Sequence, residues 1–421
     1  MLGSMIGLML GGFALSLPIA VALGLAALAG MLLFTTLPPL IFAQQLFTAL
    51  DKFALVAVPL FILAGNLMQA GGISRRFMDV AQALVGNIRG GMGATCVITC
   101  MIFAAVSGSG VATTFAVGAI LIPALVRGGY PVPFAAALQA TSAELGVIIP
   151  PSIPLILYAV SAEVSVGDLF IAGLGPGFLI GGALIVTVLI WAHFRRDTLV
   201  TPDDGLPLLA ALRRASASLL TPVIILGGIY GGVFTPTEAA AVAVFYALFV
   251  GMVVHRELKP SDLPDVLRRS LRSSASIMLI ISTAGVFSYL INRAGIPATI
   301  GEWLATNMDS PAMFLLGINI ALFIIGMFLE TSASIIILTP ILVPVAIHFG
   351  IDPVQFGIIA VVNLALGLIT PPFGVNLFAA CQVAGTTVQS IIRPILMFVC
   401  VLIVCLMIIT YVPAISLFLI R

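Results

Sequence analysis

Residues 145–152 read Leu-Gly-Val-Ile-Ile-Pro-Pro-Ser, and residues 366–372 read Leu-Gly-Leu-Ile-Thr-Pro-Pro. Each run lies inside an apolar stretch of membrane-spanning length. Proline removes a backbone donor and disfavours helix at the residue before it, so no helix passes unbroken through a double proline. The two runs are 221 residues apart. The same shift lays Pro123 on Pro344 and Gly129 on Gly350, and a shift of 223 lays Leu67 and Gly72-Ile73 on Leu290 and Gly295-Ile296. Apolar composition inflates chance matches between hydrophobic residues, but it does not produce paired prolines. The chain therefore contains an internal repeat with a helix broken at the same place in each copy.

The solvent for this repeat follows from composition. Hydrophobic residues make up 61% of 421 positions and charged residues 8%, where a soluble domain is about a quarter charged. Apolar runs recur along the whole chain, so lipid-facing segments must satisfy their own backbone groups, as helices do. The fold class expected is an all-α polytopic membrane protein. The first run, residues 5–34, is too long for a signal-peptide core and divides into two short spans near Pro18. A net charge of +1 points to no nucleic-acid or acidic partner. Cys96, Cys100, Cys381, Cys400 and Cys405 all fall in apolar stretches without metal-ligand spacing and read as small core residues.

Basic residues set the orientation. Fourteen of the 17 Lys and Arg residues fall on one side, the cytoplasmic one, if two apolar pairs are re-entrant hairpins. Only Lys52, Arg293 and Arg421 then face outward. The hairpins are residues 91–126, entering from the cytoplasm, and 312–348, entering from outside. This gives residues 1–196 as the first repeat, 197–217 as a cytoplasmic linker and 218–421 as a second repeat of opposite topology. Residues 133–161 and 354–381 are the broken helices. Full spans in place of the hairpin arms give nearly the same charge count, so re-entrance rests on the tips. The first turns at Ser107-Gly108-Ser109-Gly110, before Thr113 and Thr114, and the second at Glu330-Thr331-Ser332. Turns this polar do not belong in lipid.

Tips and breaks together define candidate sites. Carbonyls freed before each break, at Gly146 to Ile149 and Gly367 to Thr370, can coordinate a cation. Ser107, Gly108 and Ser109 supply further oxygens in one half, and Thr331 and Ser332 in the other. Amides at the restarted half-helix and at the tips can meet an anion, with Ser152, Tyr158 and Asn376 as candidate contacts. Three carboxylates lie within apolar sequence, where insertion of one costs on the order of 2.5 to 3.5 kcal/mol. Glu238 completes a capping box with Thr235 ahead of Pro236. Glu330 can cap the second hairpin arm or take part in coupling. Glu144, just before Gly146, can attract a cation, pair with a basic group or bind a proton. A membrane serine protease also holds hydroxyls inside a helical bundle. However, Ser107 stands where a nucleophile turn needs glycine, and a repeat has no purpose there.

Three segments carry a family resemblance: Gly227 to Ala241 (GGIYGGVFTPTEAAA), Leu145 to Pro154 (LGVIIPPSIP) and Phe328 to Pro344 (FLETSASIIILTPILVP). The chain resembles the large membrane subunit of tripartite ATP-independent periplasmic (TRAP) transporters along essentially its whole length. The resemblance implies uptake of a small organic anion, typically a carboxylate such as a C4-dicarboxylate or sugar acid, driven by a sodium gradient across the bacterial or archaeal inner membrane. Its partners would be a periplasmic substrate-binding protein and a small four-helix membrane subunit. It implies no enzyme activity and no cofactor beyond sodium as coupling ion, and an elevator movement of hairpins and broken helices against a scaffold. The family's first tip runs Ser-Gly-Ser-Ser, whereas Gly110 ends it here. A proton-coupled or stand-alone carboxylate transporter is the alternative.

Overall fold

The computed structural model describes residues 2–195, 206–307 and 310–420. The linker expected at 197–217 therefore begins outside the described residues, as do Arg196 and Arg421. All regular structure described is helical. Ten helices among the described residues are long and apolar enough to cross a membrane by length and composition, which makes the chain a multi-pass membrane protein.

Local chemistry places the helix boundaries. The hairpin expected at 91–126 is Gly91–Ser107 and Gly110–Arg127. Gly108 ends the first arm at φ +63°, a left-handed conformation that glycine adopts without strain. Ser109 caps the second arm by accepting from the Ala112 amide. The hairpin expected at 312–348 is Pro311–Phe328 and Thr331–His348, the second arm capped by Glu330. The broken helices end at Ile148 and Leu368 and restart at Ile153 and Val375. The Pro150-Pro151 and Pro371-Pro372 bonds are both cis. At the start of Pro236–Phe249, the Thr235 and Glu238 side chains satisfy each other's backbone amides, so the capping box forms as read.

The polar residues after Val254 do not form a separate loop throughout: from Leu263 they belong to a single 31-residue helix ending at Arg293. Val266, Ser270 and Ser274 recur every fourth residue and are buried, while Arg268, Arg269 and Arg272 occupy the exposed face. A one-sided stripe of this kind extends a helix beyond the apolar span. The helix Leu40–Thr48 was not anticipated.

Both halves present the same order of elements: a spanning helix (Ala57–Ala70 or Leu263–Arg293), an amphipathic arm (Ile73–Val85 or Ile296–Asn307), a hairpin, a broken helix and a long span (Val166–Phe194 or Val388–Tyr411). Ion pairs from Arg76 to Glu257 (2.7 Å) and from Arg214 to Asp79 (3.3 Å) fix the first arm. Burial pushes the Asp79 carboxyl above its ordinary range, and the Arg214 guanidinium opposes that shift.

The broken helices form the core. In Val132–Ala162, 83% of the most apolar window is buried, against 28% in Leu208–Tyr230. The former is therefore enclosed by protein, and the latter is largely exposed on the surface of this chain. The halves also exchange contacts. Gly110–Arg127 packs on Val375–Ala384 of the other half, and Thr331–His348 packs on Ile153–Ala162. Each hairpin thus touches the restarted helix of the opposite half. Leu263–Arg293 packs against Ile19–Phe34, Ala57–Ala70 and Thr331–His348, and so bridges the outer helices and the second hairpin.

Candidate functional site

At the first tip the polar atoms converge. The Ser107 hydroxyl lies 2.8 Å from Thr113 Oγ1 and 3.1 Å from the Ser109 carbonyl, to which Thr113 also donates at 2.8 Å. The Gly108 carbonyl accepts from the Ile153 amide at 3.3 Å, tying the tip to the turn after the break. Gly146 closes the arrangement. A Cβ there would sit 2.8 Å from Thr113 Oγ1 and 2.9 Å from the Ser109 carbonyl. Only a residue without a side chain lets the helix end approach so near. The structure therefore brings Ser107, Gly108, Ser109 and Gly146 together, as read from sequence, and adds Thr113. Ile149 fills the space opened by Gly177 on the neighbouring span.

Glu144 is 2% exposed. Its Oε1 accepts from Asn376 Nδ2 at 2.8 Å, while Oε2 has no hydrogen-bond partner. That oxygen faces Gly110, where a Cβ would lie 3.2 Å from it and equally close to Val147. The glycine that departs from the family pattern is thus the residue packed against the buried carboxylate.

The second tip is built differently. Glu330 accepts from the Ala333 amide at 3.2 Å and from the Ser332 hydroxyl at 2.9 Å, so its capping role is realised. Gly326 and Gly367 are pressed together, since a Cβ on Gly367 would fall 2.3 Å from the Gly326 carbonyl carbon. This joins the hairpin's first arm to the end of the broken helix. Thr370 donates to the Leu366 carbonyl at 2.8 Å and so closes the last helical turn.

The three residues proposed from sequence to meet the anion all turn inward, and each has 0% exposure. The Ser152 hydroxyl donates to the Val147 carbonyl and caps Leu155, bridging the break. Tyr158 donates to the Pro353 carbonyl at 2.6 Å, with its ring under Gly357. Asn376 bonds to Thr114, Ala140 and Glu144. The sequence reading missed Asn66, Gln69 and Ser273. With Ser107 and Ser109 they line a cavity of about 130 Å³ between the spanning helices and the first tip. Asn66 and Gln69 are the only two polar side chains in the apolar run 54–70, and that signal was available. A larger outer cleft of about 510 Å³ lies along Leu263–Arg293 and the second hairpin, with Lys52 and Glu163 at its edge.

Ten buried side-chain nitrogens and oxygens among the described residues have no hydrogen-bond partner. Five of them are Ser142 Oγ, Glu144 Oε2, Thr331 Oγ1, Ser334 Oγ and Asn363 Oδ1. Buried polar groups are ordinarily satisfied. Unsatisfied oxygens collected in the hairpins and broken helices are the atoms a cation can use.

Comparison with known proteins agrees with this architecture. The family described as "Tripartite ATP-independent periplasmic transporter, DctM component" matches residues 6–415. The C4-dicarboxylate TRAP transporter large permease protein DctM of Pseudomonas aeruginosa is 45% identical over 94% of this chain and 93% of its own. The isethionate TRAP transporter permease protein DctMQ of Oleidesulfovibrio alaskensis is 44% identical over 95% of this chain, which spans 63% of that longer protein. The sialic acid TRAP transporter large permease protein SiaM of Vibrio cholerae is 37% identical over 94% of this chain and 92% of its own. The crystal structure of the Alcanivorax borkumensis YdaH transporter shares the fold, with a TM-score of 0.64 at 16% identity over 93% of this chain and 96% of that one. The chain belongs to the DctM component family of tripartite ATP-independent periplasmic transporters.

Proposed function

We propose that this subunit imports a small organic anion, a carboxylate such as a C4-dicarboxylate or sugar acid, together with sodium across the inner membrane of a bacterium or archaeon. A periplasmic binding protein delivers the substrate, and a small four-helix membrane subunit completes the complex. Residues 1–196 and 218–421 act as inverted repeats, and their hairpins and broken helices move as an elevator against the outer helices. Relatives named for C4-dicarboxylates, sialic acid and 2,3-diketo-L-gulonate support a carboxylate, and one named for isethionate widens the class to sulfonates. The relative named DctMQ, longer than this chain, supports a further membrane subunit.

The observation that carries this reading is the oxygen cluster of Ser107, Ser109 and Thr113 seated on Gly146. Small oxygen ligands at a helix break suit sodium. One cation site comprises Ser107 and Ser109 with carbonyls of Gly146 to Ile149. The second comprises Thr331, whose buried hydroxyl has no partner, and Ser332 with carbonyls of Gly367 to Thr370. Backbone and hydroxyl donors in the protein interior recognise the anion near the breaks, and lipid enters only as solvent for the outer helices.

The buried, half-unpartnered Glu144 favours a second reading, proton coupling. Glu144→Gln separates the two. It keeps an acceptor for Asn376 and removes the charge. Under sodium coupling, uptake in proteoliposomes persists and requires more sodium. A folded Glu144→Gln protein without any uptake, beside a wild type that transports without sodium, favours the proton.

A further inference from the structure

One fully buried side chain makes three hydrogen bonds across the two halves. Asn376 stands on the first turn of Val375–Ala384, the helix that restarts after Pro371-Pro372, and its side-chain hydrogen bonds go to the first half. Its amide nitrogen donates to the Ala140 carbonyl at 3.0 Å and to Glu144 Oε1 at 2.8 Å. Its oxygen accepts from Thr114 Oγ1 at 2.5 Å. Both N–H groups and the carbonyl are engaged, so the amide has one orientation. Leu155 occupies the position 221 residues earlier, so the first half has no matching amide.

Two of the three partners of Asn376 border the first cation site. Thr114 follows Thr113 of the oxygen cluster. Glu144 lies two residues before Gly146, and its second oxygen is buried, unpartnered and turned toward Gly110 at the start of the hairpin's second arm. We propose that Asn376 is a positioning residue that couples cation binding at the first tip to the placement of the restarted helix in the second half, whose N-terminus meets the anion. The proposal rests on the sodium reading above.

The physical path is short. A cation seated at the tip attracts Glu144 Oε2 and orders the hairpin's second arm. Glu144 Oε1 and Thr114 then hold the Asn376 amide, and with it the first turn of Val375–Ala384. Such coupling is reciprocal: an anion that fixes that turn also fixes Glu144 and raises affinity for the cation.

Amide hydrogen exchange on the purified complex, in sodium chloride and in choline chloride, tests this without a known substrate. Sodium should slow exchange at residues 107–113, 331–334 and 375–384 of the wild type, by about tenfold at the last, within the usual range for coupled sites. In Asn376→Leu the response at 107–113 and 331–334 should remain, while that at 375–384 falls below about twofold. Thr114→Val, which removes one of the three bonds, should give an intermediate response and serves if Asn376→Leu does not fold. Ser107→Ala should diminish the response at 375–384 with Asn376 intact. An unchanged sodium response at 375–384 in both Asn376→Leu and Thr114→Val overturns the coupling. Absence of any sodium response at 107–113 in the wild type instead removes the cation site itself.

Discussion

Gly367→Ala is expected to abolish transport and to lower the stability of the protein. A Cβ at this position would lie 2.3 Å from the carbonyl carbon, 2.5 Å from the Cα and 2.7 Å from the carbonyl oxygen of Gly326. Every atom in the way is backbone, so no rotamer change relieves the collision. The hairpin arm Pro311–Phe328 and the helix Pro353–Leu368 must separate. Overpacking of this kind costs about 1–3 kcal/mol, and the absence of any movable side chain places Gly367 at the upper end. Separation also moves the second tip from the break it serves. Gly182→Ala is the control, because nothing lies within 4 Å of a Cβ there. The thermal midpoint of the purified protein and its uptake activity should both fall for Gly367→Ala and stay near wild type for Gly182→Ala. Equal midpoints and equal uptake for the two variants are incompatible with the close contact.

Ser107→Ala and Thr331→Ala should each raise the sodium concentration for half-maximal uptake by about tenfold, equivalent to about 1.4 kcal/mol, within reach of one lost bond to a charged group. The two losses differ in kind. Ser107 is bonded to Thr113 and to the Ser109 carbonyl, so its removal loosens a preformed cluster. Thr331 Oγ1 is buried with no partner, so its removal deletes an oxygen that only a bound cation would satisfy. Ser107→Ala should therefore also reduce stability without sodium, whereas Thr331→Ala should leave it unchanged. Sodium titrations of uptake together with unfolding in sodium-free buffer check both. If neither variant alters the sodium dependence while transport persists, the cation sites lie elsewhere.

The hairpins and breaks were legible because they depend on residues with local backbone consequences. Double prolines stop a helix wherever they occur, Gly108 permits a left-handed turn, and Ser109 and Glu330 each cap the second arm of a hairpin. The helix ends expected at the prolines and tips lie within a few residues of those observed. The long helix Leu263–Arg293 was less legible because its first turns carry arginines and serines, and polarity alone does not separate a loop from a helix emerging from the membrane. The buried stripe of Val266, Ser270 and Ser274 decides it. The site was half legible. Spacing placed Gly146 on Gly367 and each polar tip ahead of a break, but the meeting of Ser107, Ser109 and Gly146 with Thr113 needs the turn's geometry. The direction of Ser152, Tyr158 and Asn376 depends on which helix of the opposite half covers each face. Sequence periodicity holds no record of that choice, and all three point into the protein.

Sodium dependence of uptake tests the central claim most directly. The complete complex, reconstituted in proteoliposomes with its binding protein and the anion that co-purifies with it, is given either an inward sodium gradient at equal pH or a pH gradient without sodium. Accumulation with the sodium gradient and its absence with the pH gradient alone is the expected result; accumulation driven by the pH gradient in sodium-free medium would contradict it.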